Sequence, residues 1–498
     1  MPLIRGAGTG VALVLAGFVW LLASALAGEG GSKPLVSPDR PVNVGARDPG
    51  DIRALNSPTV ARNPRNRTTL VVASRVDSPD FSCALHRSDD NGENWVAVTI
   101  AVPRGRASKC YTPDVAFSAS GVLYLSYVTL GPANKPEALW AVKSEDGGRT
   151  LSEPRRVSGP LAFQVRLAAH PSDPDELVLT WLQARDVGPL GEFPAAGNPI
   201  VASRSGDAGA SWSTPTPVNR PRRGRVLAPS AAIGSRGELH VLYLDVGEDR
   251  LDYEGAHENE SGPPYSGRFS LVSARSLDGG RTWQESLVDD RVVPIERFIP
   301  FIAPSPSLAV DPQSGRLYAA FHDARGGSAD VLVWSLAPDG TGWSRPVRVN
   351  AAAPGDDTAQ YLPALAVAPG GRLDVVYYDR GDDNVRNDVS LQSSDDAGRT
   401  FKSRTTLSSR SFDSRIGFGG ERGLATLGSR LGLSSEADEV LAVWSDTRAG
   451  SQASNKQDLV GAAVALDPEG QVGILRYGGL ALVLLGGGLL AAARRRRR

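Results

Sequence analysis

Histidine and cysteine are scarce in this chain, at five and two in 498 residues. Five histidines are too few for a convincing His-based metal site, and no zinc-ligand spacing, EF-hand loop, P-loop or dinucleotide fingerprint occurs. An excess of either charge is also missing. The formal net charge is -1, with 22% charged residues, which removes the bulk electrostatic case for a nucleic acid partner. Long helical patterns are absent from the middle of the chain. What is abundant is turn chemistry: Gly 55 and Pro 36 suit a protein built from short strands.

Both ends read as membrane signals. Arg5, the apolar run Val11 to Leu26 and the small-x-small triplet Ala25-Leu26-Ala27 make residues 1–27 a signal peptide cut after Ala27, with an uncleaved anchor as the alternative. Residues 28–39 are a polar linker. At the other end Tyr477 to Ala493 is uncharged and mostly apolar, and Arg494 to Arg498 follow. At about 1.5 Å per residue this spans only about 25 Å, a short crossing. Residues 474–493 are expected as a transmembrane or sorting helix and residues 494–498 as a cytoplasmic arginine tail, although no LPxTG-type sorting motif precedes them. The protein is expected to be exported and anchored in the cytoplasmic membrane, with its body outside. In that compartment two cysteines suggest one disulfide, Cys83 to Cys110, against two buried free thiols.

One octet organises the body. Ser276 to Trp283 reads S-x-D-x-G-x-T-W, and it returns at Ser88 to Trp95, Ser144 to Leu151, Ser205 to Trp212 and Ser394 to Phe401, with a worn copy from Ser335 to Trp343. Its physics is that of a turn. Short Ser and Asp side chains bond nearby backbone N–H groups, glycine takes a positive φ, and the last aromatic or Leu folds back as a plug. A motif at a near-fixed period implies a repeat architecture.

Each repeat reads as four short strands, with the octet between the third and fourth. The second strand recurs seven times: Leu70 to Ser74, Leu123 to Tyr127, Leu177 to Trp181, Leu239 to Tyr243, Leu317 to Phe321, Leu373 to Tyr377 and Val440 to Trp444. The seventh unit lacks a fourth strand. Arg40-Pro41-Val42-Asn43-Val44 supplies one, matching Arg345-Pro346-Val347-Arg348-Val349. The expectation is an all-β, seven-bladed β-propeller over residues 40–470, closed by its N-terminal strand, with six blades as the alternative.

The octets resemble the Asp-box (BNR) repeats of the sialidase superfamily, and the chain resembles proteins of the sialidase-like or exo-alpha-sialidase type over the same residues. Phe321-His322-Asp323-Ala324-Arg325, Tyr361-Leu362-Pro363-Ala364-Leu365, Tyr377-Tyr378-Asp379-Arg380 and Trp444-Ser445-Asp446-Thr447-Arg448 carry that resemblance. It implies an exoglycosidase with three arginines on the substrate carboxylate, a Tyr nucleophile helped by a Glu, and an Asp acid/base. Two departures stand against the enzyme. The Arg-Ile-Pro motif of those enzymes is replaced by Asn56-Ser57-Pro58-Thr59-Val60-Ala61, flanked by Arg53 and Arg62, and the nearest look-alike, Arg297-Phe298-Ile299-Pro300, lies between repeats four and five. Those enzymes also have six blades. Fold carries over; catalytic assignment does not.

A site is expected on the face bearing the loops between second and third strands. One position at the second-strand ends reads Arg75 or a neighbour, Thr129, Gln183, Asp245, Asp323, Asp379 and Asp446, and Arg325, Arg380 and Arg448 follow three of them. Either each Asp caps its own loop and pairs with its own Arg, or part of the ring faces the central pocket. On the second reading Asp323, Asp379, Tyr378 and Asp446 are the catalytic candidates, and Arg325, Arg380, Arg448, Arg422 and Tyr361 the substrate-binding ones. Glu421 should approach the same face. The acidic loop from Asp245 to Gly267 is a lid, a calcium site or a solvated insertion. No other cofactor is expected. The expected function is a monomeric, membrane-tethered, sialidase-like propeller that recognises a glycan or cell-surface polymer and hydrolyses terminal glycosidic bonds; the alternative is a non-catalytic cell-surface binding or scaffold propeller.

Overall fold

The computed structural model describes residues 34–466, apart from residues 49, 101, 104–108, 190, 258–262, 296–302, 341, 352–356, 382–383 and 421–425. The compact unit Val36–Val464 carries the fold, and a second unit, Met1–Leu35 with Ala465–Arg498, lies almost wholly outside the described residues.

Seven antiparallel sheets form a seven-bladed β-propeller. Blade 1 runs Leu55–Arg62, Leu70–Val76, Ser82–Ser88 and Val96–Val98, and blade 2 runs Cys110–Phe117, Leu123–Leu130, Pro136–Ser144 and Arg155–Ser158. Blades 3 to 6 repeat the meander from Ala162–Ala169, Val226–Ile233, Ser307–Val310 and Gln360–Val367. Each second strand is the most buried of its blade: Leu70–Val76, Leu123–Leu130 and Leu317–Asp323 are buried at every position. It has sheet neighbours on both edges and adjacent blades on both faces. That is why it reads as a mostly apolar run that stands out in every repeat.

The octets fold as five near-identical turns. In blade 4 the Ser276 hydroxyl donates to Asp278 (2.8 Å) and accepts from the Gly280 N–H (2.9 Å). Asp278 accepts from the Thr282 N–H (2.9 Å) and hydroxyl (2.6 Å), and Trp283 Nε1 closes on the Gly280 carbonyl (3.1 Å). Gly280 sits at φ 87°, where a side chain is strained. In blade 3 the Ser211 hydroxyl and N–H, with Ser205, pull the Asp207 carboxyl down to about 2.

The ring closes as a shared blade. Gly432–Ser435, Glu439–Asp446 and Asp458–Ala465 supply three strands of blade 7, and Arg40 and Pro41 pair with Gly461 and Val460 on its outer edge. The strand content starts earlier than the linker 28–39 allowed, because Leu35–Val36 also joins this sheet and the Ser37 N–H bonds the Ala463 carbonyl (2.8 Å). It also ends earlier: Asn43 to Arg47 form a turn, with Gly45 at φ 93°. Lys456 pins that turn, its ammonium donating to the carbonyls of Ala46 (2.9 Å) and Asp48 (3.0 Å). A disulfide joins Cys83 of blade 1 to Cys110 of blade 2, with Cα atoms 5.5 Å apart.

The expected signal peptide and the 474–493 helix lie outside the described residues. Among the described residues no helix is long and apolar enough to cross a membrane.

Inner strands share a second device. Ser57, Thr112, Gln164, Ala228 and Leu362 all adopt φ of 51–55° at a register slip against the second strand. Non-glycine residues avoid this region, and such bulges re-aim the strand where it reaches the loop face.

Candidate functional site: an aromatic pocket and a buried arginine cluster

The second-strand ends are places where hydrogen bonds are completed. Asp323 is fully buried and accepts Arg325 Nε (2.8 Å), Nη2 (2.5 Å) and its backbone N–H (2.7 Å). Arg325 also reaches Asp289 (3.0 Å), and although burial pulls its pKa down, the two carboxylates more than offset this and raise it. Asp446 takes Arg448 Nε (2.9 Å), its N–H (2.8 Å) and Trp444 Nε1 (3.1 Å), while Arg448 Nη2 bridges on to Asp39 (2.8 Å). Asp379 accepts Arg404 (2.6 Å), Gln360 (3.0 Å) and Ser390 (3.1 Å). The same position bonds Arg223 through Asp245 (2.7 Å), Trp140 through Thr129 (3.1 Å) and Trp181 through Gln183 (2.9 Å). In blade 1 Arg75 holds the position and Asp77 follows it, 2.7 Å away. Each group caps its own loop or blade.

Tyr361 donates to Asn387 (2.8 Å), and the Arg380 guanidinium lies over its ring at 5.2 Å. The Tyr378 hydroxyl accepts from the Ser445 N–H (3.0 Å) and donates to its carbonyl (3.1 Å), and burial holds its phenol well above the usual range. Glu421, Arg422 and Arg297 to Pro300 lie outside the described residues.

A different group of charges converges on the inner strands. Arg430, just before the first strand of blade 7, donates from Nε to the Thr59 hydroxyl (2.9 Å) and from Nη2 to the Pro113 carbonyl (2.7 Å). Asp114 of blade 2 lies 4.0 Å from Arg430 and 3.8 Å from Arg166 of blade 3. Burial, reinforced by the Arg166 charge, pushes the Arg430 guanidinium down to about 9, with Asp114 opposing. Arg166 Nη1 is buried without a hydrogen-bond partner among the described residues. Two guanidiniums thus share one carboxylate. Arg75, neutralised by Asp77, lies 5.0 Å over the Tyr111 ring. Burial pushes the Tyr111 phenol up to about 12, against the pull of Arg75.

Tyr111 also lines a cavity of about 200 Å³ on the loop face, with Phe81, Phe163 and Phe418 as the other aromatic walls and Asn134 and Lys135 as polar groups. Phe81 meets Phe418 edge-on at 5.8 Å, and Tyr111 meets Phe163 at 6.3 Å. Arg166 and Arg430 do not line this cavity, but the Arg75 and Arg430 charges both act on the Tyr111 phenol in its wall. Aromatic walls backed by positive charge suit a ring-shaped ligand that carries a carboxylate. The face is the expected one, but the cavity stands over blades 1 to 3 rather than over the aspartates of blades 5 to 7. Sequence reasoning missed Tyr111, Phe163, Arg166 and Arg430. Aligning the inner strands on their second-strand partners places Asp114 and Arg166 at equivalent positions, but Arg430 precedes the paired residues of its blade.

The blade-four loop docks on blade 3. Tyr253 is fully buried, its hydroxyl accepts from Asn198 (2.9 Å), and its carbonyl accepts from the Phe193 N–H (3.0 Å). Arg225 grips Glu254 at 2.7 Å. Phe163, Phe193 and Tyr253 then meet in series at 5.2 Å, the first pair edge-on and the second tilted. Among the described residues no group of three or more His, Cys, Asp or Glu side chains is placed to hold a metal ion.

No family model matches this chain, and no curated protein matches it in sequence. Solved structures do. A protein of unknown function from Dyadobacter fermentans is 12% identical, with a TM-score of 0.48, over 87% of this chain and 99% of that one. The Hadza microbial sialidase Hz136 is 16% identical (TM-score 0.43, 80% of this chain and 74% of that one). The alpha-L-arabinanase of Penicillium chrysogenum is 16% identical (TM-score 0.45, 73% and 99%). At these identities and scores the likenesses carry no argument about what this chain does.

Proposed function

We propose that the protein is an exported, membrane-tethered propeller that recognises an acidic glycan, seating a sugar ring between Phe81, Tyr111, Phe163 and Phe418 and drawing its carboxylate to Arg430 and Arg166. One observation carries this reading: among the described residues the buried Arg430 and the partly buried Arg166 have a single carboxylate, Asp114, between them, and the buried Arg166 Nη1 has no hydrogen-bond partner. A buried charge is costly unless paired, and an anionic ligand supplies the missing partner. Export rests on residues 1–27 and tethering on residues 474–493.

Recognition is favoured over hydrolysis because Asp323, Asp379 and Asp446, the carboxylates expected in acid and base roles, are engaged. Catalysis by Asp323, Asp379, Asp446 or Tyr378, with Arg325, Arg380, Arg448, Arg422 and Tyr361 as substrate contacts, would require substrate to displace the ion pairs and the Ser445 bonds described above.

The test is calorimetric titration of the full-length protein with galacturonate, N-acetylneuraminate and neutral galactose. The reading expects acidic sugars to bind, galactose not to, and Arg430→Met to weaken the acidic sugars about tenfold or more. Equal binding of acidic and neutral sugars, or indifference to Arg430→Met, would overturn it. A fluorogenic sialoside, run with Asp323→Ala and Arg380→Ala, separates the hydrolytic alternative: turnover lost in both variants would move the site to the second-strand ends.

A further inference from the structure

The same face holds a second cleft. Residues 410–416 lead from blade 6 into blade 7 and, with the loops after the second strands of both blades, enclose about 770 Å³. Arg386, Arg410, Arg415 and Arg448 line it, and Asp413 is the only carboxylate among its described lining residues. The Asp413 charge is answered by a bidentate contact from Arg415 (2.7 and 3.0 Å), and Arg448 is held by Asp446 and Asp39. Arg410 is exposed and has no carboxylate partner among the described residues. A ligand entering this cleft therefore meets guanidiniums.

The cleft and the aromatic pocket are joined by one segment. Ile416 lines the cleft and Phe418 lines the pocket, so the two sites are separated by two residues of backbone, at most about 7 Å of chain. This shared wall is fixed. Ser414 bonds the Val385 carbonyl through its N–H (3.1 Å) and hydroxyl (2.7 Å), Thr447 donates to the Asp413 carbonyl (2.8 Å), and Phe418 packs edge-on against Phe81. The pocket itself, at about 200 Å³, is the size of a single sugar unit rather than of an oligomer.

We infer that the ligand is a chain, an acidic polysaccharide with one residue seated in the aromatic pocket and its continuation crossing the segment Asp413 to Gly420 to lay further anionic groups on Arg386, Arg410 and Arg415. This rests on the acidic-glycan reading and adds polymer length and a second contact region to it. Two linked contacts on one chain raise affinity by effective concentration, so binding should strengthen with length until both are spanned.

The test is titration of the full-length protein with galacturonate and alginate oligomers, from monomer to dimer, tetramer and octamer. The octamer of at least one series is expected to bind about tenfold or more tighter than its monomer, with a steep salt dependence. In the double variant Arg386→Ala/Arg410→Ala, and in Arg410→Glu, that gain is lost while monomer affinity is kept. Monomer and octamer binding equally in both series overturns the polymer inference and leaves the acidic-glycan reading standing. A length gain that survives both variants overturns the placement on this cleft. Failure of every acid, monomer and octamer alike, overturns the inference together with the reading beneath it. Both substituted arginines are exposed, and unchanged thermal unfolding of the variants checks that the fold is intact.

Discussion

Arg430 of the last blade donates from Nε to the Thr59 hydroxyl of the first, at 2.9 Å, so the buried guanidinium assigned to ligand recognition also spans the seam where the ring closes. Its Nη2 continues to the Pro113 carbonyl of blade 2, 2.7 Å away. Stability and binding are therefore coupled at this residue, and the two effects separate by substitution. Arg430→Met is expected to lose the charge-assisted contact with the ligand, about 1.5–3 kcal/mol of binding free energy. Arg430→Lys keeps the charge without the planar fork, so it is expected to recover stability more fully than affinity. Calorimetry and thermal unfolding on the same samples read both.

Asp323 and Arg325 predict the opposite pattern. Removing one partner of a buried pair leaves the other charge uncompensated, a loss of about 3–5 kcal/mol in fully buried cases. Arg325 keeps Asp289 at 3.0 Å and remains partly exposed, so Asp323→Ala is expected at or below the low end of that range, about 2–3 kcal/mol. Urea unfolding measures it. Affinity for acidic sugars should stay unchanged. Tyr378→Phe breaks only the hydroxyl bonds to Ser445 and should cost about 1 kcal/mol, again without a binding phenotype.

Ring closure carries a pH dependence. Burial raises the Asp458 carboxyl to about 6, with the Asn43 side-chain bond and the nearby Lys456 ammonium pulling the other way. The unfolded carboxyl titrates near 3.9, so between about pH 4 and 6 the folded state holds the extra proton. Stabilisation from this group is full below about pH 4 and is lost as pH rises through about 6. Asp458→Asn should flatten that part of the stability profile, as read by urea midpoints across the window. An unchanged slope in the variant would assign it to other groups.

The Cys83–Cys110 disulfide closes a loop of 27 residues between blades 1 and 2. Chain-entropy arguments give about 3–4 kcal/mol for a loop of that size. The Cys83→Ser/Cys110→Ser protein should unfold at correspondingly lower denaturant, and reductant should shift wild type toward the variant while leaving the variant unmoved. Cys110 precedes Tyr111 directly, so loosened affinity for acidic sugars is expected to accompany the loss.

The fold was legible because its needs repeat. Every blade needs a tight turn, and the Ser–Asp–Gly octet meets that need five times with nearly the same bonds. Each second strand is buried on both faces, so it is mostly apolar. The Asp323, Asp379 and Asp446 positions recur for the same reason, as acceptors that finish a loop. The arginine cluster was not legible, because it sits where the repeats disagree. Opposite equivalent second-strand positions the inner strands carry Thr59, Asp114, Arg166, Ser230, Ser307, Ala364 and Gly432. No pattern search rewards a position that takes six residue types in seven blades, and Arg430 meets Thr59 only once the chain has closed on itself.

The most direct measurement is a crystal structure of the protein with galacturonate or N-acetylneuraminate bound. The account predicts a sugar ring against Phe81, Tyr111, Phe163 and Phe418 with its carboxylate within hydrogen-bonding distance of Arg430 or Arg166. A sugar bound instead over Asp323 and Arg325, or a carboxylate turned away from both cluster arginines, would contradict it.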